Sequence, residues 1–338
     1  MDETRCRARE IRRKFFKDKY EISISHGLNE ELVEDILSVS PEVHTLHFEL
    51  LADSEFETSL LPKFRSLLQV GIWTGHSLEY IDLNGISDIK SLVKIVISVQ
   101  PTKGLDELDI SPLGGLENLE IVNILCPVRK LMGIDELKKC PQLHSLQLAS
   151  LDVKGLDLSG LSGSNLQSLH INDVGQQYPE EPYKIVIPQD TPLSEVVVSD
   201  CYSPDLKLDI DYSWLEEKIA LDHIAIINCN LTSFDLQVLS SLERIGKIDL
   251  TGNQITHLDI TSIIEIPMFT ENTLGESAFN IDENVVIQIS VKKQDTIKSI
   301  IQKPDKVIEE HKGYFSVIPE FGHKWLKKLI DKHDLEWI

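Results

Sequence analysis

The stretch IGKIDLTGNQITHLDI, residues 245–260, carries the pattern on which the fold depends. Its spacing is apolar, two residues of any kind, apolar, one of any kind, apolar, and Ile245, Ile248 and Leu250 fill it. Alternation at the last two positions predicts a short strand with one buried face. Asn253 predicts a tight turn after that strand, because its side chain can bond backbone groups where the chain bends.

The same apolar pattern recurs along the chain. Its nine occurrences are Val43-Leu46-Phe48, Leu78-Ile81-Leu83, Leu105-Leu108-Ile110, Leu119-Val122-Ile124, Leu143-Leu146-Leu148, Leu166-Leu169-Ile171, Leu193-Val196-Val198, Leu221-Ile224-Ile226 and Ile245-Ile248-Leu250. The first positions lie 35, 27, 14, 24, 23, 27, 28 and 24 residues apart. Most of these intervals fall within the about 20–29 residues of a leucine-rich repeat.

Residues 43–291 resemble the leucine-rich-repeat superfamily, with Cys201 and Cys229 standing where Asn253 stands in the best repeat. The resemblance implies an α/β solenoid with a curved parallel sheet on its concave face and helices and irregular segments on its convex face. Few of the nine repeats have Asn or Cys at the turn, so we expect an irregular solenoid. Each repeat buries its apolar face only against neighbours, so the array needs capped ends.

We expect three parts, an N-terminal helical cap at residues 1–42, the solenoid at 43–291 and a C-terminal helical cap at 292–338. Within the first cap we expect a basic helix at 3–19, a strand at 20–24 and a helix at 27–43. Convex helices are expected at about 56–69, 88–99 and 133–139. The amphipathic stretch 324–338 is read as a helix that covers the last repeat, with a membrane or partner helix as the alternative.

The charge is unevenly distributed along the chain. The formal net charge is −22, yet residues 1–19 hold eight basic and four acidic residues and residues 291–338 hold ten Lys and eight acidic residues. Residues 20–290 hold 43 acidic and 15 basic residues. Such a body disfavours nucleic acid and anionic lipid and would attract a basic protein, although the charge could also serve solubility alone.

The compartment is inferred from segments that the sequence lacks. No stretch approaches the about 20 apolar residues of a membrane span, and the N-terminal stretch has no apolar core of a signal peptide. Five Cys are too few for a disulfide framework in a chain of 338 residues. We therefore expect a cytoplasmic or nuclear protein. Cys201 and Cys229 are expected to stack as buried thiols, with a disulfide as the alternative.

No motif for catalysis or cofactor binding is found in the sequence. The LGGL stretch at 113–116 lacks the Lys and hydroxyl residue of a phosphate-binding loop, and no Cys pair has zinc spacing. We expect no cofactor, no metal and no enzymatic activity.

The expected binding site is the concave strand face. Alternating strand positions point away from the core, and seven residues at such positions form the predicted site. Its acidic and aromatic half is Glu49, Tyr80, Asp82, Glu107 and Asp109, and its apolar patch is Val197 and Ile227.

The sequence thus predicts a non-catalytic adaptor or scaffold that holds a basic protein partner. Two alternatives remain open. One is a regulatory subunit or substrate receptor, similar to the leucine-rich-repeat proteins that regulate phosphatases or serve ubiquitin ligases. The other is an effector of an intracellular microbe.

Overall fold

A computed structural model describes residues 20–50, 53–74, 78–99, 104–175, 182–201, 207–269, 278–302 and 324–338. The chain divides into two compact units. The first unit comprises residues 1–193 and 209–211, and the second comprises residues 194–208 and 212–338. The helix expected at 3–19 lies outside the described residues. Strand labels follow chain order.

The main sheet of the first unit is parallel throughout its described strands. Each strand pairs with the next in register, as Leu46 does with Val70 and Val70 with Ile95. In sheet order the strands are β1 (Glu21–Ile24), β2 (Thr45–Leu50), β4 (Gln69–Thr74), β6 (Lys94–Val99), β8 (Ile121–Leu125), β10 (Ser145–Ala149) and β12 (Ser168–Asn172).

The main sheet of the second unit repeats this arrangement. Its described strands are β14 (Glu195–Ser199), β16 (Ala220–Ile227), β17 (Arg244–Asp249), β19 (Met268–Phe269) and β20 (Phe279–Asn280). β17 pairs with both β19 and β20, and every pairing is parallel. One strand per repeat in a parallel sheet is the arrangement that the recurring pattern predicts.

Two main-sheet strands were not predicted from the sequence. The prediction of a helix at 56–69 is wrong, because the segment begins in the strand Glu55–Glu57, holds only the 3₁₀ helix Leu61–Lys63 and is followed by β4. The prediction of a helix at 88–99 is wrong, because Lys94–Val99 is β6. Both strands carry the apolar pattern, as Leu67-Val70-Ile72 and Leu92-Ile95-Ile97, and these six side chains are buried. With them included, the main-sheet patterns that begin at Val43 and end with the one at Ile245 start 23 to 28 residues apart.

A second set of strands runs after the main strands and forms short parallel ladders. In the first unit these are β3 (Glu55–Glu57) with β5 (Tyr80–Asp82), β7 (Leu105–Asp109) with β9 (Val128–Met132), and β11 (Leu156–Asp157) with β13 (Tyr183–Val186) and β15 (Leu208–Asp211). In the second unit they are β18 (His257–Asp259), β21 (Val286–Ile289) and β22 (Leu335–Trp337). Two predicted main strands, Leu78–Leu83 and Leu105–Ile110, therefore belong to this second set.

Helices are short throughout the described chain. The α-helices are α1 (Glu30–Val39), α2 (Gln294–Gln302) and α3 (Lys324–Lys332). The 3₁₀ helices are Leu61–Lys63, Asn84–Asp88, Ser111–Leu113, Ile134–Lys139, Ser159–Leu161, Ser213–Leu215, Leu236–Leu239 and Val291–Lys293. The helix predicted at 133–139 is thus a 3₁₀ helix. The C-terminal helix ends at Lys332, and β22 follows it. None of the described helices is long and apolar enough to span a membrane.

The predicted boundaries at 42/43 and 291/292 stay a prediction. β1 lies within the expected N-terminal cap and already pairs with β2, and β22 lies within the expected C-terminal cap and pairs with β21. In the second unit the α3 residue Trp325 is 2% exposed and packs on Phe269 and Phe279, with ring centroids 4.4 Å and 5.9 Å away. Helix α3 is therefore part of the core of this unit.

Candidate functional site

The strand face consists of the main-sheet side chains that point away from the core. Three of the predicted site residues lie on it. Glu49 is exposed on β2 in the first unit. Val197 on β14 and Ile227 on β16 are half-buried in the second unit, and Ala225, the register partner of Val197, is buried. The apolar patch of the second unit therefore consists of half-buried side chains.

The other four predicted site residues do not lie on the main sheet. Tyr80 and Asp82 are on β5, which pairs with β3, and Glu107 and Asp109 are on β7, which pairs with β9. Their placement beside Glu49 on the strand face was wrong. Both sets of strands line the same core and share one apolar spacing, so the spacing alone does not distinguish them.

Asp82 and Asp109 cap 3₁₀ helices. Asp82 Oδ1 accepts a hydrogen bond of 2.8 Å from the Asn84 backbone N–H, and Asp109 Oδ1 accepts one of 2.9 Å from that of Ser111. The same contact is made by Asp157, Asp235 and Asp259. At Asp157 the hydrogen bonds from Ser159 hold the pKa of the carboxyl below its usual value. Some of the acidic side chains of the chain therefore stabilise its turns by accepting hydrogen bonds from the backbone.

The remaining charges on β7 and β9 face opposite charges. Glu107 lies 3.4 Å from the Lys130 ammonium, and Arg129 lies 2.7 Å from Asp106. Because these charges are paired, the β7–β9 ladder attracts a basic partner less strongly than its acidic residues alone would suggest. Tyr80 is 48% exposed on β5.

The strand face of the first unit presents a tryptophan that sequence reasoning missed. Trp73 lies on β4, 37% exposed, and Leu68 of the same repeat is 36% exposed. The indole lies across Gly71, two residues earlier on the same strand. A Cβ atom at Gly71 would stand 2.1 Å from Trp73 Cζ3 and 2.2 Å from Cη2. Only a glycine leaves room for the indole in this position.

Acidic, polar and aromatic side chains lie on one side of this indole, on β2 and β1. The His47 ring on β2 lies 4.8 Å from the Trp73 ring between centroids, and His47 Nε2 lies 3.1 Å from Glu21 Oε1. Glu49 is the register partner of Trp73, and Ser23 Oγ donates a hydrogen bond of 3.1 Å to Glu49 Oε1. We call these five side chains, Glu21, Ser23, His47, Glu49 and Trp73, together with Gly71, the tryptophan face.

Next to the tryptophan face the strand face is partly apolar. Val96 on β6 is the register partner of Gly71, and Ile121 and Leu125 follow on β8. All three are half-buried. A half-exposed tryptophan beside aliphatic side chains and carboxylates combines apolar contact area with charge, as protein–protein interfaces do.

The strand face of the second unit is polar and internally bonded. His223 Nδ1 lies 3.3 Å from Glu195 Oε1, and burial lowers the pKa of this histidine more than Glu195 raises it. Burial also disfavours ionisation of Asp249, but hydrogen bonds from Asn280 and Thr251 outweigh burial and lower its pKa. These groups mostly satisfy one another.

The turn of the best repeat is held by Asn253. Its Nδ2 donates hydrogen bonds of 2.7 Å to Ile226 O and 2.8 Å to Leu250 O. Its Oδ1 accepts from the backbone N–H groups of Cys229 and Leu231 at 3.0 Å and 3.1 Å. One amide thus bonds the backbone of its own repeat and of the preceding one, as its sequence position predicts.

Cys229 occupies the same position one repeat earlier. Its Sγ lies 3.7 Å from Val198 O, and Val198 is the register partner of Ile226, which accepts from Asn253. The thiol therefore stands at the same place between two strands as the Asn253 amide, but its shorter contact, 3.2 Å, is with Ile227 O of its own repeat. The chain has the leucine-rich-repeat fold. The repeat fold predicted from the sequence is confirmed by the parallel strand register, and the helical caps at its two ends stay a prediction.

A search of solved structures finds similarity to the leucine-rich-repeat domain of the type III effector XCV3220 (XopL). The two chains share 11% sequence identity with a TM-score of 0.36, over 87% of this chain and 83% of that one. No family model and no curated protein matches the chain.

The four cysteines within the described residues are free thiols. Cys201 and Cys229 form a hydrogen bond to each other, and together with burial it raises the pKa of Cys229. Burial raises the pKa of Cys126 to about 12. In the part of the chain that the structure describes, no group of three or more His, Cys, Asp or Glu side chains is arranged to hold a metal ion.

Proposed function

We propose that this protein is a non-catalytic adaptor or scaffold that binds a basic protein partner on the strand face of its first unit. The observation that carries the proposal is the exposed indole of Trp73, laid across Gly71 beside Glu49. Exposed aromatic side chains in apolar surroundings are frequent centres of protein–protein binding energy. Stacked repeats support this role, since they present an extended binding surface.

Charge supports a basic partner. Residues 20–290 hold 43 acidic and 15 basic residues. A field of this sign speeds the approach of cationic proteins and slows that of nucleic acids. Glu21 and Glu49 contribute to it on the strand face, where the partner would bind.

Free thiols support action in the cytoplasm or nucleus. Cys201 and Cys229 hydrogen-bond each other in adjacent repeats and are not joined by a disulfide. Paired free thiols persist in reducing compartments.

The test is a comparison of partners bound by the full chain and by a double variant of the strand face, Val96→Arg with Leu125→Arg. Both side chains are half-buried and point away from the core, so bulky cations there should repel a basic partner and disturb the fold little. We expect proteins recovered with the wild-type chain to be rich in Lys and Arg. We expect most of them to be lost with the double variant, as measured by quantitative mass spectrometry.

Ile219→Arg is the matched control, because Ile219 is 65% exposed in the second unit. This variant should keep the wild-type partners. Circular dichroism should show the same unfolding midpoint for the wild-type chain, the double variant and Ile219→Arg. Retention of the same partners by the Val96→Arg, Leu125→Arg chain would contradict the proposed function.

A further inference from the structure

The indole of Trp73 is held in one orientation with one side open. Its six-membered ring passes over Gly71, so the sheet backbone covers that side. The His47 ring contacts it at 52° between ring planes, and 37% of Trp73 stays exposed. A fixed aromatic ring loses little conformational freedom when a partner side chain stacks on it.

Two carboxylates lie on the same face, on the strands β2 and β1 to one side of β4. Glu49 lies beside Trp73 in register, held by Ser23 Oγ at 3.1 Å. Glu21 lies beyond His47, with Glu21 Oε1 3.1 Å from His47 Nε2. The nearest strand-face lysine in register terms, Lys94, pairs with Gln69 at the other end of β4. The part of the strand face on the β2 side of the indole therefore carries negative charge.

These features select the chemistry of a ligand group. The face of an indole attracts a cation through its quadrupole, and tryptophan does so best among aromatic side chains. A guanidinium is planar and weakly hydrated, so it can stack on the ring while its N–H groups donate to a carboxylate. We propose that Trp73 binds an arginine side chain of the partner, with Glu49 as the carboxylate that pairs with the guanidinium.

This inference rests on the proposed function and adds a specific contact to it. The partner is a basic protein with an arginine in an accessible segment, and the arginine stacks on the outer side of the indole. A neutral side chain of the same shape would lose both the attraction to the ring and the pairing with Glu49. A carboxylate would be repelled by the same groups.

The experiment uses a random dodecapeptide library displayed on phage, selected against the full wild-type chain. We expect the selected peptides to be enriched in arginine. Each is then synthesised with arginine or with citrulline, which has the same shape without the charge. Citrulline should weaken binding about tenfold, as measured by fluorescence anisotropy.

Variants of the chain test whether the arginine of the peptide binds at Trp73. Trp73→Ala should lower the affinity for the arginine peptide about tenfold. This variant should then bind the arginine and citrulline peptides with nearly equal affinity. Trp73→Phe should keep part of the preference. Glu49→Gln should reduce it, and Glu243→Gln, an exposed acid of the second unit, serves as the matched control and should leave it unchanged.

Gly71→Ala tests the orientation of the indole without removing it. The new Cβ would stand 2.1 Å from Trp73 Cζ3 and 2.8 Å from His47 Nδ1, so the indole must leave its place. We expect this variant to lose the preference for arginine over citrulline although Trp73 is present. Its unfolding midpoint separates this loss from general unfolding.

The outcomes distinguish this inference from the proposed function. A library that yields no peptides enriched in arginine, or an equal preference for arginine in the wild-type and Trp73→Ala chains, would overturn the role of Trp73. If protein partners were nevertheless lost with Val96→Arg and Leu125→Arg, binding on the strand face would stand. If the Trp73→Ala chain kept its preference for arginine peptides and the Val96→Arg, Leu125→Arg chain kept its protein partners, both proposals would fail.

Discussion

At the scale of single residues, the turns of the repeats depend on one position that accepts either an amide or a thiol. Asn253 bonds the backbone of two repeats through four hydrogen bonds shorter than 3.2 Å. Cys229 has one donor, which lies 3.7 Å from Val198 O on the strand before its own. Buried backbone groups need such partners, because each one left without a hydrogen bond costs about 1–3 kcal/mol.

Replacement of Asn253 tests this function of the side chain. Asn253→Ala should lower the free energy of unfolding by about 2–4 kcal/mol, as measured by urea denaturation. Asn253→Cys should lose less, since a thiol stands at this place in the preceding repeat. Asn118→Ala is the control, because Asn118 makes one exposed hydrogen bond of 2.7 Å to Lys90 O. Equal losses at both positions would contradict the bridging role.

A second residue-scale prediction concerns pH. Burial raises the pKa of Cys126 from 9.0 to about 12. Above pH 9 the unfolded chain loses this proton and the folded chain keeps it, so stability falls as pH rises from about 9 to about 12, by about 1.4 kcal/mol per unit. The measurement is the urea midpoint between pH 8 and 10.5 in the wild type and in Cys126→Ala. The variant should show the weaker decline, and parallel curves would refute the prediction.

At the scale of elements, most repeats of the described chain have a main strand, then a second strand or a turn, and then a 3₁₀ helix. Aspartates before four of these helices, Asp82, Asp109, Asp157 and Asp235, accept from backbone N–H groups two residues later, and Asp259 does the same before a turn. The recurring sequence aspartate, apolar residue, polar residue is the signal that could have identified them as caps. Their carboxylates therefore stabilise the fold by accepting hydrogen bonds from the backbone.

Asp109 is the position at which to test the cap. Asp109→Ala should cost about 0.5–2 kcal/mol of stability, whereas Asp109→Asn should cost less because its amide oxygen still accepts from Ser111. Asp106→Ala, which removes a surface ion pair with Arg129, should cost at most about 1 kcal/mol. Thermal unfolding of the three variants provides the comparison. Asp109→Ala should also leave partner binding unchanged. A loss of binding without a loss of stability would instead indicate that Asp109 contacts the partner.

At the scale of the whole molecule, net charge and local contact act on different parts of binding. A net charge of −22 influences the approach of a basic partner over about a Debye length, which is near 10 Å at 0.1 M salt. The indole of Trp73 acts only after contact. Association and dissociation rates therefore report on separate features.

We expect the association rate of an arginine peptide to fall steeply as salt rises from 50 to 500 mM. Trp73→Ala should chiefly raise the dissociation rate and keep the same salt dependence of association. Surface plasmon resonance with the full chain measures both rates. An association rate independent of salt would argue that the acidic body has no part in binding.

The sequence by itself determined the fold class. The apolar spacing, its recurrence and the Asn or Cys at the turn were enough, because every repeat must bury the same stripe against its neighbours. The strand at Glu21–Ile24 and helix α1 were also predicted. Leu67-Val70-Ile72 and Leu92-Ile95-Ile97 fit the same pattern, and an even spacing of 23 to 28 residues would have identified both strands.

Only the tertiary structure decided which strands share the strand face. Main and second strands line one core and carry the same apolar pattern, so Tyr80 and Asp109 resembled strand-face residues until the pairings of β5 and β7 were known. The contact of Trp73 with Gly71 and His47 also depends on the register between β2 and β4. Local sequence records which side chains are apolar, whereas the surface they form is set by how the repeats stack.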